Sequence, residues 1–166
     1  MDMRFPIAVP GVGPVPCRYM VIGEAPGREE IKELKPFVGR SGELLTDAIE
    51  KAGATRDDIY ITNIFKGDVG AGNRNPTEEE ILEHSKILIE EILDVQPERI
   101  LLVGAVPTRY FLGSNIKITE ASGNVYDYDG LSELYPCLHP AFVLRQRNVF
   151  NVNKFYSTIK NFLGYN

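Results

Sequence analysis

Four short apolar runs, at 19–25, 59–65, 99–104 and 134–139, constrain this chain more than any other feature. Three are rich in β-branched residues, and each successive pair is separated by enough chain for a crossover, the connection that parallel strands need. Between the first two, "SGELLTDAIEKAG" puts Leu44, Leu45, Ala48, Ile49 and Ala52 on one helical face, with Ser41 or Gly42 near its start and Gly53 ending it. A second helix opens at "PTEEEI", where Thr77 and Glu80 have capping-box spacing. Its apolar side runs through Ile81, Leu82, Ser85, Leu88, Ile89 and Ile92, leaving its acids to water. "AVPTRYFLG" reads as a short helix ending at Gly113, and "PAFVLRQ" and "FNVNKFYSTIKNFL" as closing helices. The expected fold is a three-layer α/β/α sandwich with a central, mostly parallel four-stranded sheet. Between 114 and 133, "NVYDYDG" predicts a small appended hairpin.

At 166 residues, with no internal repeat or linker, residues 1–166 are expected to form a single domain. No apolar stretch reaches the ~18 residues of a membrane span, and the first sixteen residues lack the charged start and apolar core of a signal peptide. The expectation is a cytoplasmic or nucleoid-associated protein, not secreted and not at a membrane. Cys17 and Cys137 are too few for a disulfide framework and read as buried thiols. The net charge of −5 argues against a non-specific nucleic-acid binder. The distribution is uneven, however: residues 78–98 carry eight acids, whereas 139–166 carry Arg145, Arg147, Lys154 and Lys160 and no acid. Either one face is basic or both segments are merely solvated helix faces.

In parallel α/β sheets ligands bind beyond the carboxyl ends of the strands. Glu24 follows the first run, Asn63 ends the second in "IYITNIF", and His139 ends the fourth in "LYPCLHP". Singly these read as a helix-cap neighbour, a turn former and a satisfied histidine before a proline. Jointly, three polar side chains at equivalent ends of three strands converge on one crevice.

"GEAPGREE", "KPFVGRSGELL", "ITNIFK" followed by "GNRNPTEEEI", "ILLVGA" and "HPAFVLR" together resemble the uracil-DNA glycosylase superfamily, and most closely its family 4, the bacterial and archaeal iron–sulfur type. The resemblance runs from about residue 19 to 163 with the motifs in family order. It implies hydrolysis of the N-glycosidic bond of deoxyuridine in DNA after base flipping, leaving an abasic site in base excision repair. The implied partner is uracil-containing DNA, engaged by a monomer.

The residues meet the physical demands of that reaction. A base inside a duplex must be extruded into a pocket and read on its Watson–Crick edge. Asn63 suits the reading, because its amide donates to a uracil carbonyl and accepts from the ring N–H. Phe37 in "KPFVG" would stack on the flipped ring. Departure of the base leaves a cationic sugar and a uracil anion, which a neutral His139 would meet with a hydrogen bond. Gly23, Ala25 and Gly27 form the loop that approaches the substrate. In some relatives an Asp follows the glutamate position and positions the water; here that residue is Ala25, so the water and the cation fall to Glu24, with Asn73 in "GNRNP" a second candidate. Arg40, Ser41 and Gly42, at a helix start, would bind phosphate. Val143 and Leu144 are candidate apolar wedges, and Arg145 a phosphate or orphan-base contact.

The chain departs from family 4 in one respect. That family holds a [4Fe–4S] cluster on four cysteines; this chain has two cysteines and none in the matching positions. No metal and no cofactor are therefore expected, and the loop "KGDVGAG" must be stabilised otherwise. Covalent trapping of the product through a histidine after the second strand is disfavoured, since His84 and His139 are the only histidines. A monofunctional enzyme is expected, since no lysine stands in a catalytic motif position where it would form a Schiff base, although Lys66 lies close enough in sequence to keep that route open. The competing reading is a non-catalytic, DNA-binding accessory protein of glycosylase-like fold.

Overall fold

The computed structural model describes residues 3–70 and 74–164. Its elements in chain order are β1 (Tyr19–Gly23), α1 (Arg28–Glu33), α2 (Arg40–Lys51), a 3-10 turn (Arg56–Asp58), β2 (Tyr60–Asn63), α3 (Glu78–Val95), β3 (Arg99–Val103), α4 (Ala105–Leu112), α5 (Ile118–Ala121), β4 (Tyr126–Tyr128), β5 (Ser132–Cys137), α6 (Pro140–Arg145) and α7 (Val149–Phe162). The sheet order is β2-β1-β3-β5-β4. The pairs β1/β2, β1/β3 and β3/β5 are parallel, and β4 runs antiparallel to β5.

Alternation along the strands splits the core into two layers. Val21, Leu101, Val103, Tyr135 and Cys137 face α2, α6 and α7, meeting Leu45, Ile49, Phe155, Ile159 and Phe162. Met20, Ile22, Ile100, Leu102 and Leu134 face the other way, onto Leu88, Ile92 and Val95 of α3. The β-branched and aliphatic runs are continuous because both faces of a parallel sheet are buried. This is the expected three-layer sandwich, with one difference in strand count. The hairpin is not appended beside a four-stranded sheet: its second arm is β5, the fourth parallel strand, so β4 becomes a fifth strand of one sheet.

Helix α3 has the expected capping box, with Glu80 N–H donating to Thr77 Oγ1 at 3.2 Å and Thr77 N–H to Glu80 Oε1 at 2.8 Å. Its inward face is turned from the expected one. Leu82 and Ile89 are exposed, while His84 and Val95 join Ser85, Leu88 and Ile92 in the interior. Buried partners decide this rotation. His84 Nδ1 accepts from Lys66 N–H at 3.0 Å, so Nε2 carries the proton and donates to the Phe5 carbonyl at 2.6 Å. Nor do all the acids of α3 face water. Glu80 is buried against Arg74, and Glu91 pairs with the buried Lys66 ammonium at 2.6 Å.

The chain leaves β1 for β2 on one side and reaches β3 on the other, so the strand order reverses at the carboxyl ends of β1 and β3. A crevice of about 630 Å³ opens there, lined from the segments after β1, β2, β3 and β5.

Candidate functional site

Gly23 ends β1, and the site is built around its missing side chain. A Cβ at this position would collide with the ring of Phe37 and with the amide oxygen of Asn63. Only glycine lets the strand end pass beneath both groups. The β1–β2 ladder continues past the strand ends, Ile64 N–H donating to the Gly23 carbonyl at 2.8 Å and Phe65 N–H to the Glu24 carbonyl at 3.0 Å. Asn63 is buried, yet its side-chain amide has no hydrogen-bond partner among the described residues although it lines the crevice. Its backbone carbonyl, in contrast, is held by Lys66 Nζ at 2.6 Å.

Phe37 sits in the left-handed region at φ +51°, which costs energy for an aromatic residue and has to be imposed from outside. Two charged side chains impose it. Arg56 donates to the carbonyls of Pro36 and Phe37 and, at 3.0 Å, to Thr46 Oγ1. Glu30 accepts from Gly27 N–H at 3.0 Å and from Val38 and Gly39 N–H at 2.8 Å each. Gly42 lets α2 approach the Phe37 carbonyl more closely than any side chain would permit. Neither Arg56 nor Glu30 was foreseen, because both act on backbone groups that only the folded loop brings within reach.

His139 caps α6, its Nδ1 accepting from Ala141 N–H at 3.0 Å with Pro140 in the first turn. That bond fixes the neutral tautomer, leaving Nε2–H as a free donor. Burial, reinforced by the charge of Arg145, pulls the imidazole pKa down to about 4, so the ring is neutral at pH 7. Its edge rests on Gly104, where φ is +94° and an added Cβ would come within 3.1 Å of the ring. Glu24 is half-buried in the same crevice, with no ion-pair or hydrogen-bond partner for its carboxylate among the described residues. Burial alone raises its pKa above the ordinary carboxylate value. Among the described residues, the crevice thus holds an aromatic ring, an amide and a carboxylate without partners, and a neutral N–H donor.

Of the remaining expected residues, Ala25, Gly27, Ser41, Gly42 and Arg145 also line the crevice. The Gly27 N–H is taken by Glu30 and is not offered to a ligand. Arg40 is exposed at the first position of α2 but does not line the crevice. Asn73 lies outside the described residues. Val143 is corrected: it is 2% exposed and belongs to the core under α6, so it cannot serve as a wedge without leaving that core. Leu144 is half-buried. Lys66 does not line the crevice, its amine being locked between Glu91 and the Asn63 carbonyl, which removes it as an amine nucleophile there. Arg74, Asn75 and Arg109 line the crevice without having been singled out. Arg109 was legible only as a charge on a short helix.

The donor set does not fit an iron–sulfur cluster. Cys17 Sγ donates to the carbonyls of Tyr19 and Asp58 at 3.2 Å each, and Cys137 is buried within β5, where desolvation pushes its thiol pKa up. No group of three or more His, Cys, Asp or Glu among the described residues could hold a metal ion. The start of "KGDVGAG" is held instead by the N-terminal segment. Ala8 and Val9 N–H donate to the Lys66 carbonyl at 2.8 and 2.9 Å, and Phe5 and Arg4 N–H donate to Glu83 at 2.7 and 2.9 Å. No helix among the described residues is long and apolar enough to cross a membrane.

Comparison with known proteins adds an independent finding. The sequence profile described as the Uracil DNA glycosylase superfamily matches residues 10–163. A protein of Thermotoga maritima named type-4 uracil-DNA glycosylase is 38% identical over 141 residues, covering 84% of this chain and 73% of that one. One of the same name from Saccharolobus solfataricus is 41% identical over 148 residues, covering 82% and 67%. A Bacillus phage SP01 protein named DNA polymerase is 31% identical over 142 residues, 85% of this chain but 15% of that one.

Proposed function

Because the chain belongs to the uracil DNA glycosylase superfamily, we propose a residue-level account of how its crevice excises uracil. The protein is a uracil-DNA glycosylase, a hydrolase of N-glycosyl bonds acting in DNA repair. One observation carries the account: the Phe37 ring and the unpartnered Asn63 amide meet over Gly23 in the crevice that also holds the His139 Nε2–H.

In this reading a deoxyuridine is extruded into the crevice and its ring stacks on Phe37. The Asn63 side chain donates its N–H to a pyrimidine carbonyl and accepts from the ring N–H. Cytosine offers the opposite polarity at two of those positions and leaves the buried amide unsatisfied, which is an effective way to reject it. As the C1′–N1 bond breaks, the electron pair stays on the base and the His139 Nε2–H meets the charge developing at O2. A neutral donor suits this, since the interaction strengthens only as charge appears. Glu24 faces the opposite charge. Its desolvated carboxylate supports the cationic sugar and orients the water that adds to C1′, with Asn73 able to share the water. Ser41, Gly42 and Arg40 bind backbone phosphate through the first-turn amides of α2, which lack intrahelical partners, and Leu144 and Arg145 contact the duplex at the opposite lip. The enzyme is monofunctional, works as a monomer in the cytoplasm, and carries no [4Fe–4S] cluster or other cofactor.

Release of uracil from a labelled oligonucleotide, with formation of an alkali-labile abasic site, tests the reading. Absence of release from folded protein would leave a DNA-binding relative without turnover. Iron analysis and the visible spectrum test the cofactor statement: the preparation is colourless, with about zero iron per chain, and a brown protein with stoichiometric iron would overturn it.

A further inference from the structure

The two most exposed large hydrophobic side chains among the described residues are neighbours. Val149 is 76% and Phe150 72% exposed, at the first turn of α7. Single exposed apolar residues are unremarkable, but an adjacent pair held rigidly in the open has to be explained. The turn beneath the pair is ordered by its own side chains. Asn148 Oδ1 accepts from Asn151 N–H at 2.9 Å, Asn151 Nδ2 donates to the Gln146 carbonyl at 2.8 Å, and Asn148 N–H reaches the same carbonyl at 3.0 Å. Farther along α7, Phe155, Ile159 and Phe162 anchor the helix in the core.

Two cations lie close to the pair in space or in sequence. Lys154 Nζ lies 5.8 Å from the centre of the Phe150 ring, and Arg147 precedes the pair by two residues. Arg145, just before the turn, lines the crevice. From residue 139 to the end of the sequence there is no Asp or Glu. Arg145 and Arg147 have no carboxylate partner among the described residues, whereas Arg4, Arg74 and Arg99 each have one. An apolar protein-docking patch would not require this exclusion of acids from the segment on a protein of net charge −5. An aromatic face flanked by cations with no carboxylate partner among the described residues, and following in the chain a side chain that lines the crevice, suits stacked bases between phosphates.

We propose that Val149 and Phe150 form a second DNA contact, a ledge on which a base adjoining the extruded nucleotide stacks, with Arg147 and Lys154 on the flanking phosphates. The ledge supplies the exposed apolar surface that Val143, being in the core, does not. It rests on the glycosylase reading only in naming the nucleotide that has been extruded.

The test measures binding of a duplex carrying 2′-fluoro-deoxyuridine, an analogue that resists excision, and the same duplex with 2-aminopurine beside that position. Loss of one base-stacking contact corresponds to a roughly 5- to 150-fold change in affinity, and that is the weakening expected for Phe150→Ala, with Phe150→Trp retaining most of the binding. Arg147→Gln should lower the slope of log affinity against log salt by about one. The 2-aminopurine signal should change on binding to the unaltered protein and much less with Phe150→Ala. On cleavable DNA the defect should appear in KM more than in the saturating rate. Wild-type affinity and an unchanged 2-aminopurine response in a folded Phe150→Ala variant would overturn the ledge and leave the pair to a protein partner. The two readings fail separately: Phe150-dependent binding without uracil release sinks only the glycosylase mechanism, and uracil release with Phe150-independent binding sinks only the ledge.

Discussion

Two polar regions at neighbouring places in this fold use their side chains in opposite ways. In the crevice, the Asn63 amide and the Glu24 carboxylate have no partner among the described residues, and His139 uses one ring nitrogen and leaves the other free. Beneath the N-terminal segment, on the α3 side, the buried groups are paired. His84 uses both nitrogens, Lys66 its amine, amide and carbonyl, and Glu80 both oxygens. A buried polar group left without a partner costs roughly 1–3 kcal/mol. The paired region follows the rule for stability, and the crevice departs from it where a substrate would supply the missing bonds.

Changing one region should therefore alter turnover and changing the other should alter stability. The largest effect is expected for His139→Ala. Loss of a donor aimed at a developing anion typically slows the reaction ~10²–10³-fold, and single-turnover excision should show this, with the melting temperature lowered only by the few degrees that loss of the α6 cap costs. A proportionate loss of fold would erase the distinction between the regions.

Glu24→Gln keeps the shape and removes the charge, and a fall of roughly 10²-fold in turnover is expected with binding to uracil-containing DNA retained. On the proposed mechanism the two residues serve one transition state, so the double variant should fall short of the product of the single effects. The pH profile sharpens the assignment. Because burial raises the Glu24 pKa, activity should decline as pH falls through that raised value, and Glu24→Gln should abolish that limb. His139 stays neutral until pH falls toward about 4, so its own titration would add a separate, more acidic limb that Glu24→Gln leaves in place. If the limb survives in Glu24→Gln, the water passes to Asn73 or to the backbone.

On the paired side, His84→Ala leaves Lys66 N–H and the Phe5 carbonyl without their partner and should cost about 2–4 kcal/mol in denaturant unfolding. Excision at a temperature where the variant is folded should stay within roughly threefold of wild type. A much larger loss would show that the N-terminal segment shapes the crevice as well as supporting it.

The smallest effect concerns acid. Hydrogen bonds and charge from Arg74, with the Thr77 cap, hold the Glu80 carboxyl down to about 2 against a burial penalty that opposes them. A carboxylate whose folded pKa lies below its unfolded one adds stability above the unfolded value and loses it as pH falls toward the folded one. The stabilising contribution of Glu80 should therefore fade between about pH 4.5 and 2, and thermal unfolding of Glu80→Gln should fall less steeply with acid over that window.

The strands, α2, α7 and the capped start of α3 were legible because each rests on local chemistry. β-Branched runs, a capping box and a 3.6-residue stripe act within a few residues of one another. Two short helices escaped that reading: α1 buries none of its six residues, and α5 spans only four. The phase of α3 is not legible in the sequence, because Leu82 and Ile89 satisfy the pattern as well as His84 and Val95 do. The choice between them came from Lys66 and Phe5, far away in sequence. Val143 is buried for a similar reason, since a residue in the short helix after β5 can point into the core or out of it.

By itself the sequence determined the layered parallel fold, the strand ends at which Glu24, Asn63 and His139 stand, and the family to which they belong. Only the tertiary structure decided that Phe37 is bent into a left-handed conformation by Arg56 and Glu30, and that the Asn63 amide has no partner among the described residues while Lys66 is bound. It also decided that the exposed apolar surface past α6 is Val149 and Phe150. Periodicity and caps are local interactions that a linear pattern records. Partner assignment is a competition among groups distant in the chain, and only their packing settles which are satisfied and which stay open for substrate.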